Sequence, residues 1–150
     1  MEGCVMDDTI ISRFKGEYAW LSNMYVFSGF VYGNLHFCTV ENFYQAMKTT
    51  DWVYREEISQ MNPYEAKRFV RSLRLRDDWE DVKDAVMLHG LRMKFKEPHL
   101  ANRLLSTKGR LLVEGNEHGD VYWGVCNGTG LNRLGVLLMQ VRAELEEGCV

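Results

Sequence analysis

The segment T-V-E-N-F-Y-Q-A-M-K, residues 39–48, places an acid, an amide and an amine on one face of a predicted helix. At about 100° per residue, Gln45 lies ~40° from Glu41, and Lys48 lies ~20° away on the other side. Glu41 and Lys48 are two turns apart, roughly 10 Å along the axis, so they could flank a ligand but hardly pair with each other. A polar stripe on an amphipathic helix is usually solvated. This face is therefore either exposed to solvent or part of the wall of a binding site.

A glycine-rich segment, N-G-T-G-L-N at residues 127–132, leads directly into the last predicted helix. Gly128 and Gly130 would let the backbone approach a ligand closely, and a helix N-terminus presents free N–H groups to an anion. Asn132 is placed to cap this helix. The alternative is a tight turn between a strand and the helix, because the spacing fits neither G-x-G-x-x-G nor a P-loop.

The segment D-V-Y-W-G, residues 120–124, offers a flat ring beside a glycine. The Trp123 indole suits stacking against a planar ligand, although such a tryptophan is more often part of the core. Asp120 suits either a sugar hydroxyl or a role in the turn. Both interpretations stay open for both residues.

Arginines are crowded just before Asp77 and Asp78, at positions 68, 71, 74 and 76. Guanidinium forks hold phosphates with two hydrogen bonds, which makes Arg71 and Arg74 candidate phosphate ligands. The alternative is ion pairing with the two aspartates. No Cys/His spacing resembles a zinc site and no nucleophile elbow is present, so we expect neither a metal site nor a serine hydrolase.

The composition is that of an ordinary globular protein: 150 residues, 46% hydrophobic and 26% charged, with a net charge of −3. This charge gives no overall field that would attract nucleic acid. The N-terminus, M-E-G-C-V-M-D-D, does not resemble a signal peptide, and no apolar run approaches the ~20 residues of a membrane span. We expect a single cytoplasmic domain over residues 1–150 whose four cysteines, at 4, 38, 126 and 149, are reduced.

The hydrophobic pattern predicts an α+β fold in which helices dominate a small β component. Asn62-Pro63 and Thr39 are predicted helix starts, and Gly33-Asn34 is the predicted turn of a hairpin. The predicted strands are 10–14, a hairpin within 25–37, 111–113 and 121–123, and the predicted helices are 40–50, 53–60, 63–73, 78–97, 98–105 and 132–146.

Taken in order, these segments resemble the YbiA-like, or NADAR, family from about Phe14 to Leu145. One departure is Asn42, where many relatives have histidine. The blocks that carry the resemblance are L-S-N (21–23), T-V-E-N-F-Y-Q-A-M-K (39–48), D-D-W-E-D-V-K-D-A-V-M (77–87), K-F (94–95), L-L-S-T (104–107), L-V-E (112–114), D-V-Y-W-G (120–124), G-T-G-L-N-R-L-G (128–135) and L-M-Q-V-R (138–142).

The resemblance implies a YbiA-like fold and an N-glycosidase, which cleaves the bond between a ribose C1 and a nitrogen. The substrate classes it implies are phosphorylated ribosylamino-pyrimidine intermediates of riboflavin synthesis, or ADP-ribose linked to a guanine base, free or in nucleic acid. No metal or redox cofactor is expected. The alternative is a module that binds ADP-ribose or a nucleotide without cleaving it, with Glu41 acting only as a hydrogen-bond acceptor.

Breaking a ribosyl C–N bond needs an anion near C1, a proton donor near the nitrogen and a surface for the base. Glu41 would stabilise the cation or orient water. Lys48 would be a charged donor or, with a lowered pKa, a nucleophile that forms a Schiff base with the opened sugar. The remaining assignments are Asp120 with the catalytic residues, Trp79 and Trp123 for stacking, Asn23 and Gln45 for polar contacts, and Gly128, Gly130 and Asn132 with Arg71 or Arg74 for the phosphate.

Overall fold

The computed structural model describes residues 9–148. Within that range the fold is α+β, mostly helical with short strands, as predicted. The helices are a 3-10 helix Gly16–Leu21, α1 Val40–Ala46, α2 Trp52–Ser59, α3 Pro63–Val70, α4 Trp79–Lys94, α5 Pro98–Leu105 and α6 Arg133–Glu146. The strands are β1 Ile10–Ile11, β2 Phe30–Tyr32, β3 Leu35–Phe37, β4 Leu111–Leu112, β5 Gly115–Asn116 and β6 Val125–Cys126. The 3-10 helix and β5 were not predicted. Cys4 and Cys149 lie outside the described residues.

Helix starts follow the predicted caps. The Thr39 hydroxyl accepts a hydrogen bond from the Asn42 N–H at the start of α1. Asn62 and Glu65 form a reciprocal capping box at α3, with Pro63 in the first turn where a missing N–H costs nothing. These local interactions fix where α1 and α3 begin and therefore which faces they turn towards each other.

The strands form three separate pairs within the described residues. The predicted hairpin is confirmed as β2–β3, antiparallel across Gly33-Asn34, with Gly33 at a φ of 61° that suits a residue without Cβ. The other two pairs, β1–β4 and β5–β6, are parallel. The β1–β4 pair brings the start of the described chain beside the segment that follows α5.

The predicted strand at 121–123 is wrong. The strand in this region is β6, Val125–Cys126, and it pairs with β5. The Asp120 carboxylate accepts hydrogen bonds from the N–H groups of Tyr122 and Trp123, at 3.2 and 2.9 Å. Because a side chain takes up these backbone donors, the segment forms a turn where its apolar residues suggested a strand.

Helix α1 is central to the fold, in contact with α2, α3 and α4. All seven of its residues are buried, including the polar Glu41, Asn42 and Gln45. A Cβ on Gly90 of α4 would lie 3.1 Å from Val40 and 3.2 Å from Phe43, so α4 crosses α1 at very close range. Of the polar stripe predicted for this helix, Glu41 and Gln45 are buried, while Lys48 lies in the turn after α1 and is half-buried. Within residues 9–148, no helix combines the length and the apolar character needed to cross a membrane.

Candidate active site

A cavity of about 1050 Å³ opens beside α1. One wall comes from the segment 14–25, which contains the 3-10 helix, and another comes from 114–123. Helix α3 contributes Tyr64 and Lys67, and α1 contributes the polar stripe singled out by its spacing. The turn after the 3-10 helix is joined to α1 by a hydrogen bond of 3.0 Å from the Glu41 N–H to the Asn23 carbonyl.

Glu41 is a nearly enclosed carboxyl group in the wall of this cavity, 8% exposed. The Gln45 side-chain amide donates a hydrogen bond of 2.6 Å to its Oε2. Burial raises the pKa of Glu41, while this hydrogen bond and the charges of Lys67 and Lys48 act in the opposite direction. Burial therefore favours the neutral acid, and the hydrogen bond from Gln45 and the two nearby ammonium groups offset this effect in part.

Lys48 is half-buried and also lines the cavity. Its ammonium lies 5.0 Å from the centroid of the Tyr44 ring and 5.8 Å from that of Trp79. Burial lowers the pKa of Lys48, opposed mainly by the charge of Glu41. Within residues 9–148 its nitrogen has neither a hydrogen bond nor an ion pair. An amine with a lowered pKa and no partner is chemically suited to nucleophilic attack or to proton donation.

Trp123 and Asp120 line the cavity together. The Trp123 indole N–H donates to the Tyr44 hydroxyl at 3.0 Å, and the two rings meet edge to face. Asp120 uses Oδ1 for the turn and also lies in the cavity wall, where contact with a sugar hydroxyl stays a prediction. Within the described chain its Oδ2 makes no hydrogen bond and is available to a ligand.

Two side-chain oxygens of cavity-lining residues are buried without a hydrogen-bond partner in the described part of the chain, Asn23 Oδ1 and Gln45 Oε1. The Asn23 amide nitrogen has only a weak acceptor, Met87 Sδ at 3.4 Å. A buried acceptor without a donor costs free energy. Rotation of either amide towards the cavity would let a ligand N–H or O–H satisfy it.

The cavity-lining residues that the sequence did not single out include Lys15, Lys67 and Glu114. Lys15 precedes the 3-10 helix, Lys67 is on α3, and Glu114 follows β4. Burial raises the pKa of Glu114 to about 7, with repulsion from Asp120 as a further cause. Glu114 lies in the L-V-E block of the family resemblance, which was the one available signal; the two lysines converge only through tertiary structure.

The predicted arginines lie outside the cavity wall. Arg71 is exposed, and Arg74 pairs with Asp77 at 3.2 Å with both side chains 88% exposed. Arg76, whose side chain is 20% exposed, pairs with Asp78 at 2.6 Å. Arg74 and Arg76 therefore follow the alternative interpretation, pairing with the adjacent aspartates, whereas Arg71 shows no such pair within the described residues.

Four further predicted residues also lie outside the cavity wall. Trp79 is 4% exposed and packs behind Tyr44, with ring centroids 5.1 Å apart. Gly128 and Gly130 are exposed on the loop before α6. Asn132 is the N-cap residue, but the expected side-chain cap is absent: its amide accepts from the Glu114 N–H and donates to the Leu112 carbonyl instead. Its side chain therefore holds the loop to β4.

No three His, Cys, Asp or Glu side chains cluster as potential metal ligands in residues 9–148. The reactive groups in the cavity wall are the carboxyl groups of Glu41 and Glu114, whose pKa values are raised, and the amine of Lys48, whose pKa is lowered. The indole of Trp123 and the unpaired amide oxygens of Asn23 and Gln45 lie in the same wall. Such a set can transfer protons and stabilise a cation.

Comparison with known proteins gives a consistent result. The family model of the NADAR domain matches residues 11–146. The chain is 43% identical over 148 residues to a protein named N-glycosidase YbiA from Shigella flexneri serotype 5b, covering 94% of this chain and 91% of that protein. It is 42% identical over 123 residues to a chloroplastic riboflavin biosynthesis protein, PYRR, from Zea mays, covering 71% of this chain but only 19% of the maize protein. The NMR structure of Escherichia coli YbiA superposes with a TM-score of 0.84 at 40% identity, covering 96% of this chain and 89% of that one.

Proposed function

The chain belongs to the NADAR domain family, and we propose that it is an N-glycosidase that hydrolyses the ribosyl C–N bond of a phosphorylated ribosylamino-pyrimidine. The observation that carries the proposal is the position of Glu41, an enclosed carboxyl group in the wall of a cavity of nucleotide size. Cleavage builds positive charge at C1, and an anion held in a water-poor site stabilises that charge far better than one in water.

Lys48, in the turn that follows α1, supplies a second reactive group in the same cavity. As an ammonium it protonates a departing group; as a free amine it attacks C1 of the opened sugar and forms a Schiff base. Its lowered pKa and the lack of a hydrogen bond or ion pair to its nitrogen in the described residues favour the second role. Borohydride trapping during turnover, followed by mass spectrometry, separates the two: an adduct on Lys48 supports the covalent route, and its absence in an active sample supports proton donation.

The substrate's base and phosphate have separate candidate partners. Trp123 offers the base a planar contact, and the unpaired oxygens of Asn23 and Gln45 match the N–H groups of an aminopyrimidine. Lys15 and Lys67 take the phosphate, a role that the sequence suggested for arginines.

A guanine base carrying ADP-ribose is the second candidate substrate. At about 1050 Å³ the cavity stands at the upper end of the roughly 300–1,000 Å³ common for small-molecule sites, which leaves room for more than a mononucleotide. The experiment is a panel of both substrate classes scored for free base by chromatography. Release from neither class, with intact ligand still bound, would contradict the enzyme and indicate a binding module.

The phosphate assignment is tested with Lys67→Met. We expect KM to rise about tenfold or more for a phosphorylated substrate, because one charge-assisted contact of about 1.5–3 kcal/mol is lost. The dephosphorylated substrate should show much less change in KM. Lys108→Met, at an exposed lysine outside the cavity, is the matched control. Equal effects on both substrates would remove Lys67 from phosphate binding.

A further inference from the structure

We propose that Glu114 is a further catalytic residue, whose carboxylic acid gives the leaving nitrogen its proton as the C1–N bond breaks. The inference rests on the proposed N-glycosidase function and deepens it. It assigns the two carboxyl groups of the cavity to different steps, with Glu41 as the anion at C1 and Glu114 as the acid at the base.

The backbone of Glu114 is held on both sides. Its N–H donates to Asn132 Oδ1 at 2.9 Å, and its carbonyl accepts from the Val125 N–H at 2.9 Å and from Asn116 Nδ2 at 3.4 Å. A Cβ on Gly124 would lie 2.1 Å from that carbonyl oxygen, so only glycine allows the loop to pass this close. Hydrogen bonds and close packing thus fix the stem of the side chain.

The carboxyl end of Glu114 is free by contrast. The side chain lines the cavity, and within residues 9–148 its carboxyl oxygens have neither a hydrogen bond nor an ion pair. Neither oxygen is among the fully enclosed unpartnered atoms, so both oxygens are accessible in part. An accessible carboxyl group on a rigid stem in the wall of a substrate cavity is placed to meet a ligand atom.

The surroundings of the two acids differ, although burial raises the pKa of both. Glu41 receives a hydrogen bond from Gln45, which opposes that rise and favours its ionised form, whereas Glu114 receives none from the described residues. Burial and the charges of Asp120 and Glu41 raise the pKa of Glu114 to about 7, against smaller opposing effects of Lys15 and Lys67. The charged groups that share the cavity wall with Glu114 are Lys15, Glu41, Lys48, Lys67, Glu117, His118 and Asp120.

The step balances in atoms and electrons. The C1–N bond breaks, its electron pair goes to nitrogen, and that nitrogen takes the proton from Glu114. Water then bonds to C1 and loses a proton to Glu41, and this proton returns through solvent to Glu114. The sum is one water consumed, with its hydroxyl on C1 and its hydrogen on the released base. If Lys48 attacks C1 first, the leaving nitrogen needs the same proton.

The test compares leaving groups. In Glu114→Gln, we expect kcat on the ribosylamine substrate to fall about 10²–10⁴-fold, the usual contribution of a general acid. On a nitrophenyl riboside, whose phenolate departs without a proton, kcat should stay within about threefold of the wild type. The alkaline limb of kcat/KM near pH 7 should disappear in the variant. Glu57→Gln, at an exposed residue of α2, controls for the loss of a surface charge.

The outcomes are distinguishable from failure of the proposed function. A wild type that releases no base from any ribosylated compound overturns the proposed function itself. An active wild type with an equally active Glu114→Gln variant overturns only the acid role, and so does an equal loss on both kinds of leaving group. If the wild type does not accept the nitrophenyl riboside, the pH profile decides, and an unchanged alkaline limb in the variant refutes the proposal.

Discussion

Replacing Glu41 with glutamine should abolish turnover and at the same time stabilise the protein. The change keeps the shape of the side chain and removes its charge. Without the anion at C1 we expect kcat to fall about 10²–10⁴-fold, equivalent to about 3–5 kcal/mol of transition-state stabilisation.

The stability gain follows from how Glu41 is buried. The carboxyl group is 8% exposed, and within residues 9–148 it has one hydrogen bond and no ion pair. Glutamine at this position could still accept from the Gln45 amide and could donate to Gln45 Oε1, which is buried without a partner. Satisfying one such acceptor is worth about 1 kcal/mol, which in a chain of this size raises Tm by about 2–4 °C.

The gain in stability of Glu41→Gln over the wild type should be larger at pH 7 than at pH 4. Burial raises the pKa of Glu41 in the folded state, so the protonated side chain favours folding. This contribution of Glu41 to the free energy of unfolding is complete below the ordinary pKa of 4.5 and is lost as the pH rises through the folded pKa. The variant should therefore exceed the wild type in urea midpoint at pH 7 and approach it near pH 4. Glu57→Gln is again the control.

Two results would refute this reasoning separately. Full activity of Glu41→Gln on a substrate that the wild type cleaves would remove Glu41 from the mechanism. A variant that is inactive but less stable at pH 7 would show that the carboxylate contributes to the fold, so that loss of activity could follow from loss of structure.

Two further predictions concern residues outside the cavity wall. Lys94 is fully buried, its ammonium donates to the Ser22 carbonyl, and burial lowers its pKa to about 7 from an ordinary 10.5. Since the unfolded chain keeps that proton longer, wild-type stability should rise between about pH 7 and 10.5, and Lys94→Met should flatten this rise in urea midpoints at pH 7 and 9. Arg74→Ala should leave KM unchanged, because the side chain is 88% exposed and bound to Asp77; a severalfold rise in KM for phosphorylated substrate would restore Arg74 as a ligand.

The sequence predicts best where neighbours along the chain decide the structure. Gly33-Asn34 and Asn62-Pro63 give the hairpin and the start of α3, because their backbone preferences act within a few residues. The strand expected at 121–123 is wrong, although the interaction that prevents it is also local. The Asp120 carboxylate accepts hydrogen bonds from the N–H groups of Tyr122 and Trp123, and only the three-dimensional structure shows this use of the side chain.

The same division applies to the candidate site. Glu41 and Gln45 share the cavity because helical spacing already places them on one face. Lys48 also lines the cavity, although the helix predicted over 40–50 ends at Ala46 and Lys48 lies in the turn after it. Lys67 and Glu114 join them only when α3 and the segment after β4 fold against α1, which no local pattern encodes. An arginine that the sequence suggests as a phosphate ligand can instead pair with an adjacent acid, as Arg74 does with Asp77.

Two buried polar residues of helix α1, Asn42 and Gln45, differ in whether their side-chain polar atoms are all hydrogen-bonded within the protein. Asn42 is 2% exposed and lies outside the cavity wall, and its amide nitrogen donates to the carbonyls of Ile58 and Met61. These bonds join α1 to the end of α2 and the residues after it, and the Asn42 Oδ1 accepts from the Thr39 hydroxyl, so both ends of the amide are used within the fold. Gln45 on the same helix keeps one buried oxygen unpaired beside the cavity. Asn42 therefore serves helix packing in this chain, and we expect substrate choice to depend on cavity residues with free hydrogen-bonding groups, such as Gln45.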